Sequence, residues 1–309
     1  MKILFFGLGS IGKRHAKLLL ENFDHELFAF RTNKGQEKNE LDIHELYSWS
    51  EIDKRSFDIV FVANPTNLHI DTAIKCAERG MALFIEKPID SRIDGLDNLL
   101  SLVEAKDLTT YVAYPLRFHP VLKELKGLLK GKKIFHSRMV CASYLPDWRP
   151  EQDHLKGYSA LKDMGGGVLM DLSHELDYAT YLFGNIDSIE GKFGKISNVT
   201  VDSEDYADLL VEHAGSMTNI HLSYVSHKPQ RCIEVNTEDG YIMADLINNI
   251  IVYSERDGVW DKGFEIGKDD MYLRQLNYFL SNITNKRMSN NLFEASRLFR
   301  QIVEFRDSL

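Results

Sequence analysis

Two short stretches of this sequence carry side chains that can do chemistry together. The first is Glu86-Lys87-Pro88, which follows the apolar run Ala82 to Ile85. A lysine directly after a buried strand sits at the carboxyl end of a sheet, where open α/β folds place their ligands. Pro88 fixes its own φ and biases Lys87 towards an extended conformation, so the charged pair is held on a stiff corner. The alternative is a solvated loop lysine, the usual fate of this residue type. The second stretch is Gly165-Gly166-Gly167-Val168-Leu169-Met170-Asp171-Leu172-Ser173-His174-Glu175-Leu176-Asp177. Three glycines before a helix allow close approach to its start. On one helix, Asp171 and His174 are neighbours on one face at a spacing of three. An acid beside a histidine orients the ring and raises its basicity, the arrangement that general acid/base work needs. D-x-x-H can also supply two metal ligands, but no further Cys/His cluster accompanies it.

A third motif supplies the context. Ile3 to Phe6 is apolar, Gly7-Leu8-Gly9-Ser10-Ile11-Gly12 follows at once, and Ile11, His15, Leu18 and Leu19 then recur at helical spacing. Strand, glycine turn and helix in that order favour a dinucleotide whose pyrophosphate rests on the helix N-terminus. Gly7, Gly9, Ser10, Ile11 and Gly12 are therefore cofactor-binding candidates. Arg14 and His15, on the first helix, read as structural or solvated. The second strand, Leu27 to Phe30, ends in Arg31-Thr32-Asn33-Lys34 with no acid. An Asp or Glu there suits the ribose 2′-hydroxyl of NAD, whereas Arg suits a 2′-phosphate. Arg31 as a planar fork and Thr32 as a hydroxyl donor favour NADP, with NAD possible.

The elements that must position these groups change character along the chain. Ile59 to Val62 is wholly apolar, as a strand buried on both faces would be. It runs into Asn64-Pro65-Thr66-Asn67-Leu68-His69, which places Asn64, Pro65 and His69 near the cofactor. Helical patterns follow at 70–79 and 96–105, and a further strand at 109–113. This alternation predicts a doubly wound parallel sheet that closes near residue 120. After a helix over 121–129 come strand-like runs at 134–143, 186–196, 206–213, 217–225, 231–237, 240–245 and 249–253. The last four are joined by short turns, which predicts a large, mainly antiparallel open sheet. Helices over 271–284 and 292–305 finish the chain. The expected fold is α/β: a Rossmann domain over 1–120, then an α+β substrate-binding and oligomerisation domain over 121–309. The loop after 143 carries Trp148, Arg149 and Tyr158 and is long enough to be functional.

Bulk composition excludes several classes. The chain has 309 residues, 44% hydrophobic and 27% charged, with a formal net charge of −9. Without a long basic run, nucleic-acid binding through phosphate neutralisation is not expected. No apolar run reaches the roughly 18 to 20 residues of a membrane span. The first residues read as a strand rather than a signal peptide. Cys76, Cys141 and Cys232 form no C-x-x-C pair, so a reduced, cytoplasmic chain without a structural metal is expected.

Taken together, Gly7-x-Gly9-x-x-Gly12, Asn64-Pro65-Thr66-Asn67-x-His69, Glu86-Lys87-Pro88, Arg117-Phe118-x-Pro120 and Gly165-Gly166-Gly167-x-x-x-Asp171-x-x-His174-x-x-Asp177 resemble the Gfo/Idh/MocA oxidoreductases, over almost the whole chain. The resemblance implies hydride transfer between NADP or NAD and a secondary hydroxyl or ketone of a sugar, polyol or sugar-derived acid. It makes Lys87 the lysine near nicotinamide and substrate, with Glu86 beside it, and His174 the acid/base, tuned by Asp171. Many members carry Asp four residues before that histidine; here Met170 holds that place. On this reading Tyr158 is a second proton donor, Trp148 offers a face to a sugar ring, and Arg117 or Arg149 clamps a substrate anion. The Tyr-Leu-Pro-Asp-Trp-Arg-Pro loop is similar to a subgroup met in surface-sugar and nonulosonic-acid metabolism. A homodimer or homotetramer is expected from the open sheet. The rivals are a non-catalytic nucleotide-binding regulator of the same fold, and an enzyme that retains its nucleotide through an epimerisation or transhydrogenation.

Overall fold

The structure is a computed structural model that describes residues 1–32, 38–148, 158–162 and 165–308, with the Tyr158 side chain left out. The chain forms two compact units: Met1–Tyr114 with Tyr272–Phe299, and Pro115–Met271 with Arg300–Leu309.

The first unit alternates strand and helix: β1 Lys2–Phe6, α1 Ser10–Asn22, β2 Glu26–Phe30, β3 His44–Leu46, α2 Trp49–Asp53, β4 Ile59–Val62, α3 His69–Ala77, β5 Ala82–Glu86, α4 Leu96–Ala105 and β6 Thr110–Ala113. Among the described residues, six strands form one sheet in the order β3-β2-β1-β4-β5-β6. Every pairing is parallel. The strand order reverses between β1 and β4, the switch point at which such sheets open a crevice. Register explains the core. Phe5 pairs with Phe61, Phe61 with Phe84, and Phe84 with Tyr111. Their rings stand 4.7, 4.3 and 5.4 Å apart, an aromatic ladder across four strands. Phe279, from the later helix α8 (Asp270–Ser281), meets this ladder edge-on at Phe84, 5.3 Å away.

The second unit holds α5 Pro120–Leu129, β7 Ile134–Tyr144, α6 Val168–Asp171, α7 His174–Phe183, β8 Ile186–Gly194, β9 Tyr206–His213, β10 Ser216–Ser223, β11 Val225–Thr237, β12 Gly240–Asp245, β13 Ile250–Glu255 and β14 Gly258–Gly263. Eight of the described strands pair in the order β14-β13-β12-β11-β7-β10-β9-β8. All neighbours are antiparallel except β10 and β7. One buried row crosses six strands in register: Leu209, Ile220, Met139, Ile233, Ala244 and Ile251. The intervening positions are more exposed, which is the alternation of a sheet with one covered face.

Two elements differ from expectation. The boundary falls at Tyr114/Pro115 rather than after residue 120, and Tyr272–Phe299 belongs with the first unit. The reason is local: Phe279 completes the aromatic ladder, and Thr109 and Thr110 bond to Ile283 O at 2.6 Å and Leu292 N at 3.0 Å. The expected single helix carrying Asp171, His174 and Asp177 is broken. Asp171 closes α6 and His174 opens α7, with Leu172 (φ −93°, ψ 24°) between them. The end of the chain forms α9, Leu292–Asp307, and the division between the units falls inside it.

Candidate functional site

In the first unit, Gly7, Ala63-Asn64 and Lys87 follow the carboxyl ends of β1, β4 and β5, three adjacent parallel strands. The glycine turn is shaped by close approach. A Cβ on Gly7 (φ +95°) would lie 2.2 Å from Ala63 O, and one on Gly12 would lie 2.1 Å from Gly7 O. Over Gly9 the space is open, with nothing within 4 Å of a Cβ. Gly9 is also the N-cap of α1 and gives no side-chain cap, and the first turn has no acidic residue. The helix start therefore presents backbone N–H groups and positive dipole to a tight, glycine-rich turn. Ser10 is exposed on that turn and Ile11 is half-buried. The Asn64 side-chain oxygen is buried without a hydrogen-bond partner among the described residues, although its Nδ2 donates to Thr72 Oγ1 at 2.9 Å. A glycine cradle, an uncapped helix start and an orphaned acceptor fit a dinucleotide with its pyrophosphate over Gly9.

The corner after β5 is anchored from several sides. Lys87 is half-buried, and the Lys87–Pro88 peptide is cis. His69 is buried, with Nε2 2.8 Å from Asn64 O and Nδ1 3.0 Å from Pro88 O. A residue read from sequence as a cofactor neighbour thus ties the loop after β4 to the corner after β5. Asp90 accepts from Ile70 N at 3.0 Å and so caps α3 from the same corner. Glu86 accepts the Lys87 backbone N–H at Oε2, 3.2 Å, and receives His15 Nε2 at Oε1, 2.6 Å. Pro65 is exposed.

At the end of β2, Arg31 Nη1 donates to Glu45 Oε1 at 3.0 Å, while Thr32 is exposed. Glu45 also accepts from Tyr47 Oη and from Asn39 Nδ2. The Tyr47 hydrogen bond, then Asn39, hold its carboxyl below the usual range. Glu45 is a charged neighbour of Arg31 that strand-end reading does not reveal. The structure brings it there by pairing β3 parallel to β2, with Ala29 opposite Glu45.

In the second unit, Asp171 Oδ2 accepts from Ser159 Oγ at 2.6 Å and from Tyr224 Oη at 3.1 Å. Trp148 stands edge-on to Tyr224 at 5.3 Å and donates through Nε1 to Ser143 Oγ at 2.8 Å. Ser159 and Tyr224 lie in other elements, so no local spacing marks them as partners of Asp171. Arg117 is not placed as an anion clamp. Its Nε and Nη2 donate to Asp177 at 2.9 and 2.8 Å, with the two side chains 7% and 2% exposed. Asp177 lies one turn beyond His174, so the pair fixes the start of α7. Glu175, fully buried, adds a second anchor by accepting from Arg231 Nε of β11 at 2.8 Å. At α6, Glu204 accepts from Leu169 N at 3.3 Å, and burial pushes its carboxyl pKa up. Of the remaining candidates, Arg149 and the Tyr158 side chain lie outside the described residues.

Both units match known proteins. A sequence profile described as the oxidoreductase family with an NAD-binding Rossmann fold matches residues 1–114. The GFO/IDH/MocA C-terminal domain matches residues 122–243. Myo-inositol 2-dehydrogenase of Thermotoga maritima is 25% identical, covering 92% of this chain and 88% of its own. UDP-N-acetylglucosamine 3-dehydrogenase of Acidithiobacillus ferrooxidans is 23% identical over 74% of this chain and 71% of its own. The crystal form of that enzyme superposes with a TM-score of 0.80 at 20% identity, over 100% of this chain and 97% of that one. Levoglucosan dehydrogenase in complex with NADH gives 0.85 at 17% identity, with the same coverage. The architecture is that of an NAD-binding oxidoreductase. The chain belongs to the GFO/IDH/MocA family. Among the described residues, no helix is long and apolar enough to cross a membrane.

Proposed function

We propose that this protein catalyses reversible hydride transfer between a nicotinamide dinucleotide and a secondary carbinol carbon of a sugar, polyol or sugar-derived acid. The observation that carries this reading is Lys87 at the carboxyl end of β5, beside the strand ends that form the glycine turn and Asn64. Gly7, Gly9, Ser10, Ile11 and Gly12 hold the pyrophosphate, and Asn64 serves the dinucleotide nearer the sheet. A nicotinamide held there would supply the hydride acceptor for oxidation and the donor for reduction. Lys87 donates a hydrogen bond to the reacting oxygen and stabilises the negative charge that develops there. His174 takes the hydroxyl proton as the C–H hydride leaves, so that alcohol becomes ketone, and gives it back in the reverse direction. Asp171, held by Ser159 and Tyr224, supports the start of α7, and Trp148 offers a ring face to the sugar. The relatives named for inositol and for a nucleotide sugar support this substrate class. Surface-sugar or nonulosonic-acid chemistry is the narrower reading. The open sheet of the second unit supports a homodimer or homotetramer.

For the cofactor we infer a preference for NADP. Support comes from Arg31 and Thr32 at the end of β2; a 2′-phosphate would share the guanidinium with Glu45. Arg31→Ala is expected to weaken NADPH binding by roughly 10-fold or more and NADH far less, because a charge-assisted contact to phosphate is lost. Equal losses for both would assign Arg31 to the fold alone. The function itself is tested by nucleotide reduction over polyols, hexoses, nucleotide sugars and nonulosonic acids with both cofactors. Absorbance growth with one of these classes supports the proposal. Nucleotide binding with no turnover across them all would favour a regulator.

A further inference from the structure

His15 is fully buried in α1, the helix that the glycine turn opens, and its ring lies against the aromatic ladder, 5.1 Å from Phe84 and 5.8 Å from Phe61. Tyr272 closes the other side at 5.9 Å. Among apolar walls, a leucine would be the ordinary choice, and a buried imidazole incurs a desolvation cost unless it is bonded. Its bonding is one-sided. Nε2 reaches Glu86 Oε1 at 2.6 Å, while Nδ1 has no hydrogen-bond partner among the described residues. Set against a carboxylate oxygen, which only accepts, Nε2 is the donor of this hydrogen bond. The other carboxylate oxygen accepts the Lys87 backbone N–H at 3.2 Å. Both oxygens of Glu86 are thus engaged, one by the nucleotide-binding helix and one by the backbone of Lys87.

We propose that His15, acting through Glu86, is a positioning residue that aims Lys87. Glu86 is the buried last residue of β5, and the half-buried Lys87 follows it directly. A carboxylate gripped at both oxygens resists rotation, which steadies the Lys87 N–H and with it the Cα–Cβ direction from which the side chain starts. Released from His15, Glu86 can turn and its hold on that N–H loosens. The link also runs from the helix that receives the pyrophosphate to the corner that presents the amine, so the two are set by one hydrogen-bonded chain. The inference rests on the reading of Lys87 as a group that acts on substrate. Its physical content is independent of that reading and is testable without substrate.

The test uses the full chain as wild type, His15→Leu, His15→Gln, Glu86→Gln and Lys87→Ala. Reactivity of the Lys87 amine towards a neutral acylating reagent is followed against pH by peptide mass spectrometry, with and without NADH. Nucleotide affinity is measured by titration, and turnover with the substrate found in the screen. His15→Leu is expected to change Lys87 reactivity while leaving exposed lysines unchanged. It should lower kcat by about 10- to 100-fold, the cost of a displaced catalytic group, with little change in nucleotide affinity. His15→Gln, which restores a donor near Nε2, should recover much of both. Should His15→Leu not fold, Glu86→Gln replaces it, because it keeps the shape and weakens the grip. In the Lys87→Ala background, removing His15 should cost little further turnover. Unchanged Lys87 reactivity in the variants at positions 15 and 86, or no recovery in His15→Gln, overturns the proposal. Altered reactivity together with wild-type turnover in Lys87→Ala instead overturns the catalytic reading of Lys87 and leaves the positioning intact.

Discussion

Lys87 and His174 reach their places by different physics. Lys87 stands where a parallel strand ends, and its corner is held by residues from neighbouring strand ends and helix starts: His69 on two backbone carbonyls, Asp90 on the start of α3, Glu86 on the lysine's own N–H. The sheet does most of the positioning, and the side chains lock what the backbone already brings together. His174 begins a helix that follows a break, and its surroundings are held by side chains from distant elements. Asp171 is bonded from Ser159 and Tyr224, Asp177 from Arg117, and Glu175 from Arg231. There the backbone leaves freedom that buried charged pairs remove. Such pairs add little net stability over apolar packing, but losing one partner strands the other.

Breaking the second region should therefore show the larger effect on stability. Asp177→Ala leaves the buried Arg117 guanidinium without its carboxylate, and a loss of about 3–5 kcal/mol is expected in denaturant unfolding. A loss below that of an ordinary surface pair would mean that α7 is held by packing alone. Tyr224→Phe keeps the ring against Trp148 and removes one donor to Asp171, for an expected loss of about 1 kcal/mol. It should also lower turnover by less than removal of His174 does. A Tyr224→Phe variant as inactive as His174→Ala would move Tyr224 from support into the chemistry. Glu204 gives the smallest effect and one with a sign. Burial raises its folded pKa above the unfolded value, so its contribution to stability is full below the unfolded value and is lost as pH rises through the folded one. Glu204→Gln should thus match wild type in acid and be modestly more stable near neutrality by thermal unfolding. The opposite pH trend would contradict a desolvated carboxyl at α6.

The same contrast explains what the sequence disclosed. Gly7, Gly9 and Gly12 are legible because the strand, the turn and the helix that need them are contiguous. Lys87 is legible because a parallel strand is a continuous apolar run that ends where charge begins. The breadth of the second sheet is legible from alternation, but β14 is not: its six residues are all exposed, so burial leaves no period to read. The three-residue β3 is too short for any pattern, and this hides Glu45, a partner of Arg31. The break at Leu172 has no Pro or Gly to announce it. Arg117 and Asp177 lie 60 residues apart, so nothing local marks Arg117 as an anchor. The return of Tyr272–Phe299 to the first unit is likewise decided by which aromatic surface needs covering.

The proposal to be tested is that Lys87 and His174 serve one proton and charge transfer at one substrate oxygen. The most direct measurement is kcat/KM and nucleotide affinity for Lys87→Ala, His174→Ala and the double variant, with the substrate that supports nucleotide reduction. Each single change is expected to lower kcat/KM by about 10²- to 10⁴-fold with nucleotide binding retained. The double variant should lose much less than the product of the two, as residues acting as a unit do. Losses that multiply fully would mean that the two act at separate steps, and wild-type turnover in either single variant would contradict the account.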